Sequence, residues 1–505
     1  MLDNILIDLL QYKNLCIASD KILDAASSID EIVSIPILHV LREHPEFLKL
    51  YNFIFNNDNN SESNNKTKNL FKVFSLIKSS LFDYKINNVP LNSFDDSKQM
   101  IIVSHITNIN QCSNFDDEYF GGFHDDLFKF SNIKPIILLI NHTNVSSTIL
   151  SKELAKNHIN RIVIPKSCGL INELKIFFRL VSSVHSFTKS AKFTDPIALS
   201  LIRNLSRPGT FLSGMTALRI GFFVEKFVKM ANPKYIFTTF EGHASEKIIF
   251  SSARKVNKDI LCFGYQHSIL NKYQHSITRN IHQKYNPDHI FCCGKITKDI
   301  LSELKSLNGT EISILGSPKA SPIGLSEVLP LTKLSNSLES SKNFTFLFLP
   351  EGFEAEYKVF FKFILECAKA FPSSSFVWRS HPLLDLQELE LFKEKEIPLN
   401  ITISKNTFDE DLKGSDIAIY RGTAAIIRAV MGNLVPIYLQ KKGEIGIDIM
   451  HSLKLNRVFS VSDLKHIIQS SNLLNNRDGA TKFCKDYFRP MECNSFIKVV
   501  DQYGS

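Results

Sequence analysis

Two carboxylates, two histidines and one hydroxyl at a turn are the groups in this chain best placed to do chemistry. Phe240-Glu241-Gly242-His243 and Leu349-Pro350-Glu351-Gly352 each set a carboxylate directly after an apolar run. A carboxylate so placed can take the proton of an attacking hydroxyl, and two in facing loops also suit a two-step displacement. Glu241 is the first candidate base and Glu351 its competitor; capping of the helix that follows is the structural alternative for Glu241. His267, in Gly264-Tyr265-Gln266-His267, ends another apolar run. It can stabilise a leaving group, or contact an acceptor together with Gln266 and His243. A satisfied loop histidine is the plainer reading.

The second cluster handles anions. In Trp378-Arg379-Ser380-His381-Pro382 the imidazole can donate to a phosphate oxygen, Pro382 fixes the backbone that presents it, and Arg379 adds charge. Arg421-Gly422-Thr423-Ala424 turns into a helix expected over 424–431. Free amides at its start, the Thr423 hydroxyl and the Arg421 guanidinium make a phosphate site. Thr423 can equally be an ordinary N-cap.

These residues need rigid elements to aim them, and the hydrophobic pattern supplies strands. Runs at 100–104, 135–142, 161–165, 234–240, 260–264, 289–293 and 312–315, then 344–349, 416–420 and 435–439, are short, apolar and stopped by polar, Gly or Pro residues. Stretches with helical character separate them. Alternation of this kind predicts parallel sheets covered by helices, with functional loops at the strands' carboxyl ends. The expected fold is α/β with two Rossmann-like domains. Its parts are an N-terminal helical region over 1–95, an acceptor domain over 96–320, a Pro/Ser-rich linker over 321–340, a nucleotide-donor domain over 341–470 and a helical tail over 471–505. Leu2, Ile5, Leu9 and Leu10 fall on one helical face, Ile37 to Phe55 repeats at helical spacing, and the Asn-rich 56–65 is too polar to pack. Residues 118–126 are expected to form an acceptor-facing loop or helix start. Residues 170–230 read as a pair of helices in which phenylalanines alternate with lysines and arginines. They either turn the aromatics inward or form a patch for a membrane surface.

Composition narrows the classes. A chain of 505 residues implies two or three domains, and 44% apolar with 22% charged residues is ordinary for a soluble protein. The net charge of +8 permits anionic partners but selects none, and its dispersed basic residues match no nucleic-acid motif. No apolar run is long enough to span a bilayer. Asp3 and Asp8 argue against a secretory signal at the start. Nine scattered cysteines without a C-x-x-C pair predict neither disulfides nor a zinc site, and with them a cytoplasmic setting. His243, His275 and His282 fit no metal-ligand spacing, so no metal is expected at the site.

The order of these motifs, from about residue 100 to 460, resembles that of GT-B glycosyltransferases. Val377-Trp378-Arg379-Ser380-His381-Pro382 resembles the His-Pro motif of bacterial sialyltransferases and of Kdo and capsule transferases. Phe240-Glu241-Gly242 resembles their acidic-Gly motif, which supplies a general base. Gly264-Tyr265-Gln266-His267 is similar to a segment of surface-carbohydrate biosynthesis proteins. The resemblance implies a metal-independent enzyme with a sugar nucleotide as substrate and no cofactor. The acceptor would be a glycan or lipid-linked, and the setting peripheral contact with the cytoplasmic face of the inner membrane. One position departs: relatives that use UDP- or GDP-sugars usually carry a ribose-binding Glu where this chain has Arg428. That implies a donor with extra negative charge, such as a CMP-activated acidic sugar of the Kdo or sialic-acid kind. The alternatives are a CDP-polyol phosphotransferase of teichoic-acid type, a UDP- or GDP-sugar transferase, or a non-catalytic binding subunit.

Overall fold

The computed structural model describes residues 9–29, 32, 75, 78–86, 99–114, 117–131, 133–155, 160–205, 208–270, 272–273, 276–279, 281–320, 343–352, 354–381, 384, 397–442, 445–470, 473 and 477–504. Pro382, His275, the linker over 321–340 and the expected elements at 1–8 and 37–65 lie outside the described residues.

The first sheet has seven strands: β1 (Gln99–Ile106), β2 (Lys134–Asn141), β3 (Asn160–Ile164), β4 (Tyr235–Thr239), β5 (Leu261–Gln266), β6 (His289–Cys292) and β7 (Glu311–Ile314). Their order in space is β3-β2-β1-β4-β5-β6-β7, and every pair is parallel. The second sheet holds β8 (Thr345–Leu349), β9 (Ser375–Trp378), β10 (Ile401–Ile403), β11 (Ile417–Tyr420), β12 (Val435–Leu439) and β13 (Asn456–Val458). It runs β10-β9-β8-β11-β12-β13, again wholly parallel. The fold is therefore α/β with two doubly wound Rossmann-like sheets. In each, strand order reverses once, between β1 and β4 and between β8 and β11. Ligands of such sheets enter the crevice at the carboxyl ends beside the reversal. β9 is the short strand that ends at Trp378, where the His-Pro motif begins, and β10 and β13 are new relative to the sequence; at three residues each those two are too short to show a period.

Side-chain alternation builds both faces of the first sheet. Met100 and Ile102 of β1 join one apolar cluster, and Ile101 and Val103 join another. The helices around it are α1 (Leu9–Ile29), α2 (Asn110–Asn114), α3 (Phe123–Phe130), α4 (Ser147–Leu154), α5 (Leu170–Ser190), α6 (Pro196–Leu205), α7 (Pro208–Ala231), α8 (Ala244–Val256) and α9 (Lys295–Ser302); α1 and α6 pack on α5, α7 and α8 in a separate apolar cluster. Residues 170–231 thus form three helices where a pair was expected. Pro196 and Pro208 each open a helix, since proline's fixed φ and missing N–H suit a first position. Phe187 and Phe223 are buried as expected, but Phe178 is not.

The second sheet is flanked by α10 (Glu354–Ala370), α11 (Phe408–Lys413), α12 (Ala425–Met431) and α13 (Val461–Gln469). The chain ends in α14 (Arg477–Tyr487) and α15 (Cys493–Gly504), which return to the first sheet. The Phe496 ring lies 4.9–5.1 Å from those of Phe123, Phe237 and Phe291. The Leu270 N–H donates to the Tyr487 hydroxyl at 2.7 Å, and the Arg489 N–H to the Cys293 carbonyl at 3.0 Å. One apolar cluster runs from Phe237 through Tyr420 to Phe496, so the tail welds the lobes together. No helix among the described residues is long and apolar enough to cross a membrane, and all nine cysteines are free.

Candidate functional site

Fully buried β4 delivers Glu241 to the first reversal point. Gly242 adopts φ +81°, and a Cβ there would sit 2.5 Å from the Ile277 nitrogen, so only glycine allows this turn. The Glu246 carboxylate, one turn into α8, accepts from the N–H groups of Glu241 and His243, both at 2.8 Å. That bond fixes the backbone from which Glu241 projects. Capping in this turn thus falls to Glu246 and leaves the Glu241 side chain available.

Around Glu241 the sheet assembles imidazoles. His267 Nε2 lies 3.3 Å from one carboxylate oxygen and His243 Nε2 lies 3.5 Å from the other. His105, from the end of β1, is 2.9 Å from His142 and 3.3 Å from the Thr239 hydroxyl. Tyr119 packs edge-on against His267 and at a tilt against His105. Sequence reasoning identified Glu241, His243 and His267. It gave no role to His105, His142 or Thr239, although each His closes an apolar run as His267 does; Tyr119 falls in the 118–126 segment expected to face the acceptor. Gln266, expected to contact an acceptor, is instead fully buried, and its amide nitrogen donates to the Ser268 carbonyl at 2.8 Å. Strand alternation explains this, because consecutive residues of an extended chain face opposite ways. Among the described residues no group of three or more His, Cys, Asp or Glu side chains is disposed to hold a metal.

The electrostatics assign protons. Burial pushes the Glu241 carboxyl up, but His267, His243, a Ser268 hydrogen bond and Lys319 outweigh it, and its pKa falls below the ordinary value. Burial, with Lys319 and His243 acting in the same direction, brings His267 down to about 4 against the pull of Glu241. His105 drops to about 3, through burial and then through His142. At neutral pH the centre is one ionised carboxylate with neutral His267 and His105 beside it, the state a general base needs. Glu246 rises to about 7 because it is buried.

The second reversal point gathers the anion-handling residues around Glu351. A Cβ on Gly352 would meet His381 Nδ1 at 2.8 Å, and one on Gly422 would collide with the Glu351 carboxylate, so bare glycines let these groups close together. The His381 N–H donates to the Tyr357 hydroxyl at 2.6 Å, and burial lowers the pKa of its imidazole. Glu351 is raised to about 8, by burial and then by Glu356, against Arg421 and the Gly422 N–H. Burial thus favours its protonated form, a hydrogen-bond donor, over the ionised form that a base competing with Glu241 would need.

Three expected donor contacts are otherwise engaged. Arg421 is buried: its Nε is 2.8 Å from Glu356, and it donates to the Leu439 carbonyl at 3.2 Å. It is a core ion pair, not an exposed loop cation. Arg379 is 2.6 Å from Asp411 and donates to the Asn406 carbonyl at 2.9 Å. Thr423 is buried and its hydroxyl accepts from the Ala425 N–H at 3.3 Å, with half-buried Ala424 at the helix start. The N-cap itself is Ala424, which makes no side-chain capping bond. Arg428 remains partly open, 2.6 Å from Asp409 and over the Phe408 ring.

Lys319 joins the two halves of the site. It acts on Glu241 and His267 from one side. On the other it lines, with Ile427, Arg428, Met431, Cys484 and Phe488, a cavity of about 40 Å³ between the lobes.

No protein-family model matches this chain, and no curated protein does. Several solved structures resemble it in overall form. The glycotransferase of kitacinnamycin shares 8% identity, covering 80% of this chain and 98% of that one, with a TM-score of 0.47. UDP-GlcNAc 2-epimerase from Neisseria meningitidis bound to UDP-GlcNAc shares 12%, covering 80% and 100%, at 0.44. A glycosyltransferase from Rickettsia africae shares 13%, covering 81% and 98%, at 0.43. Likeness at this level assigns neither substrate nor reaction to this chain.

Proposed function

We propose that the protein is a glycosyltransferase that moves a sugar from a nucleotide-activated donor to an acceptor hydroxyl, with the donor on the second lobe and the acceptor on the first. The observation that carries this reading is Glu241. It is an ionised carboxylate at a strand-end crevice, with two imidazoles within 3.5 Å and a lysine at the lobe boundary. In this role Glu241 takes the acceptor proton as the anomeric bond breaks, with the His267 imidazole 3.3 Å from the carboxylate. Across the cleft His381 and protonated Glu351 donate hydrogen bonds to the departing phosphate, which stabilises the charge that develops on it.

The donor in this proposal is a CMP-activated acidic sugar. Its support is Arg428, partly open beside Lys319 at the lobe boundary and shared with Asp409, at the place where a ribose-binding acid would repel a donor carboxylate. A thermal-shift panel with CMP, CDP, UDP and GDP tests the donor, because a ligand that binds only the native state stabilises it in proportion to affinity. CMP is expected to give the largest shift, and a preference for UDP or GDP overturns the acidic-sugar donor. Transfer assays with label in the sugar or in the donor phosphorus then test the reaction. Phosphorus in the product marks a polyol phosphotransferase instead.

A further inference from the structure

The outer face of α5 carries an apolar stripe that the fold does not use. Its inner face, with Leu180, Val184 and Phe187, is buried. Leu170, Ile171, Leu174, Phe178 and Val181 point the other way and keep between 40% and 71% of their surface in solvent. At about 100° per residue these five fall within an arc of roughly 100°, a continuous strip over the first three turns. Singly exposed apolar residues are normal on a protein surface, whereas a contiguous strip of large ones marks a contact.

A second segment widens it. The Ser167 hydroxyl bonds the Ser80 hydroxyl at 3.0 Å and the Ser167 N–H donates to the Asp83 carbonyl at 3.3 Å. The chain over 78–86 therefore lies beside the start of α5, where Leu81, Phe82 and Tyr84 are also exposed. Both segments sit at the carboxyl end of β3. On that same edge Asn141, Lys166, Ser213 and Thr216 help to line a cavity of about 320 Å³.

Charge identifies the occupant. Lys175, Arg179 and Lys189 of α5 are all exposed. Its only acid, Glu173, is buried and held by Arg219 at 2.5 and 3.0 Å, so the outward charge of the helix is wholly positive. We propose that this face docks on an anionic lipid bilayer, with the stripe inserted at the headgroup level and the cations against lipid phosphates. An apolar helix strip whose exposed charges on the helix are all lysine and arginine has the composition of an interfacial helix. A symmetric dimer through the same face would set these cations against their own copies, which disfavours a second chain as the occupant. The docking surface stands on these side chains alone and does not depend on the transfer reaction. It turns the strand-end edge of the first lobe toward the bilayer, so an acceptor reaching the cavity would be lipid-linked.

Flotation of the full chain with phosphatidylcholine vesicles, with and without phosphatidylglycerol, tests the surface. The protein is expected to float with the anionic vesicles and to be released by salt. Ile171→Ser with Phe178→Ser is expected to lower vesicle partitioning roughly tenfold or more. Lys175→Glu with Arg179→Glu should cost about tenfold and remove the preference for the anionic lipid. All four side chains are exposed, so melting temperature and nucleotide-induced shifts stay at wild-type values in both variants. That separates loss of docking from failure of the proposed function. Absence of flotation with anionic vesicles overturns the proposal. So does flotation that both variants retain, or a solution dimer that the Ile171→Ser, Phe178→Ser variant dissociates.

Discussion

His267 stands directly across from Glu241 because their strands are in register. Thr239 of β4 pairs with Tyr265 of β5, and each functional residue lies two positions beyond its member of that pair. The 3.3 Å contact between imidazole and carboxylate is therefore set by the ladder rather than by a flexible loop. The Gly242 turn and the Glu246 bonds then hold the carboxylate at the mouth of the crevice. Sites carried on rigid strands in this way need little reorganisation at the moment of reaction.

Replacing Glu241 by Gln keeps the shape and removes the base. Turnover is expected to fall by about 10²–10⁴-fold, with the nucleotide-induced thermal shift unchanged. Because the folded carboxyl lies below its ordinary 4.5, the base form persists across the neutral range. Wild-type kcat/KM should hold level as pH falls from about 7 and decline only below the ordinary carboxyl value of 4.5, with protonation of the base. A decline centred near 7 would assign the base to another group.

Glu351 makes the opposite pH prediction. Its folded pKa of about 8 exceeds the ordinary 4.5, so the native state holds this proton more tightly than the unfolded chain does. Its contribution to stability is whole below about pH 4.5 and is lost as pH rises toward 8. Glu351→Gln, which stays neutral at every pH, should flatten that decline. Urea titrations of wild type and variant at pH 5 and pH 9 give the difference in slope. Equal slopes would mean that Glu351 ionises normally.

The sequence displayed the fold because parallel strands buried on both faces read as uninterrupted apolar runs, as at Ile136 to Ile140. It displayed Glu241 and His267 for the same reason, since both follow such runs. What it could not display was pairing across distance. Arg421 looked like a free loop cation because Glu356, its partner, lies in a helix 65 residues earlier. Asp411, which neutralises Arg379, sits behind an edge strand of three residues. His105 and His142 stand at the ends of adjacent strands, and only the sheet order makes them neighbours.

Arg421 and Glu356 form an ion pair with both side chains almost wholly buried. Removing one partner leaves the other charged and desolvated, which costs about 3–5 kcal/mol. Arg421→Ala should therefore unfold at markedly lower urea. Replacing both residues, as Arg421→Met with Glu356→Leu, should recover most of that loss, because no buried charge is then left unpaired. A phosphate ligand predicts otherwise: Arg421→Ala would keep its stability and lose only the nucleotide-induced shift.

Phe496 tests whether the tail is part of the first lobe's core. Its ring meets Phe123, Phe237, Phe263 and Phe291 at centroid distances of 4.9–5.8 Å, four partners from a helix, two central strands and a third beside them. These rings are buried to within 1% exposure, so truncation leaves a cavity that rigid strands cannot close. Phe496→Ala should cost about 3–5 kcal/mol, with Phe496→Leu, which refills most of the volume, costing less. The tail reaches this position through Tyr487 and Arg489, which hydrogen-bond to Leu270 and Cys293 just beyond β5 and β6. Loosening Phe496 thus frees the loop after His267, and hydrogen exchange there should rise in the variant while β8 and β11 stay protected. Uniform exchange across both lobes would instead mean that the two sheets and the tail open as one cooperative unit.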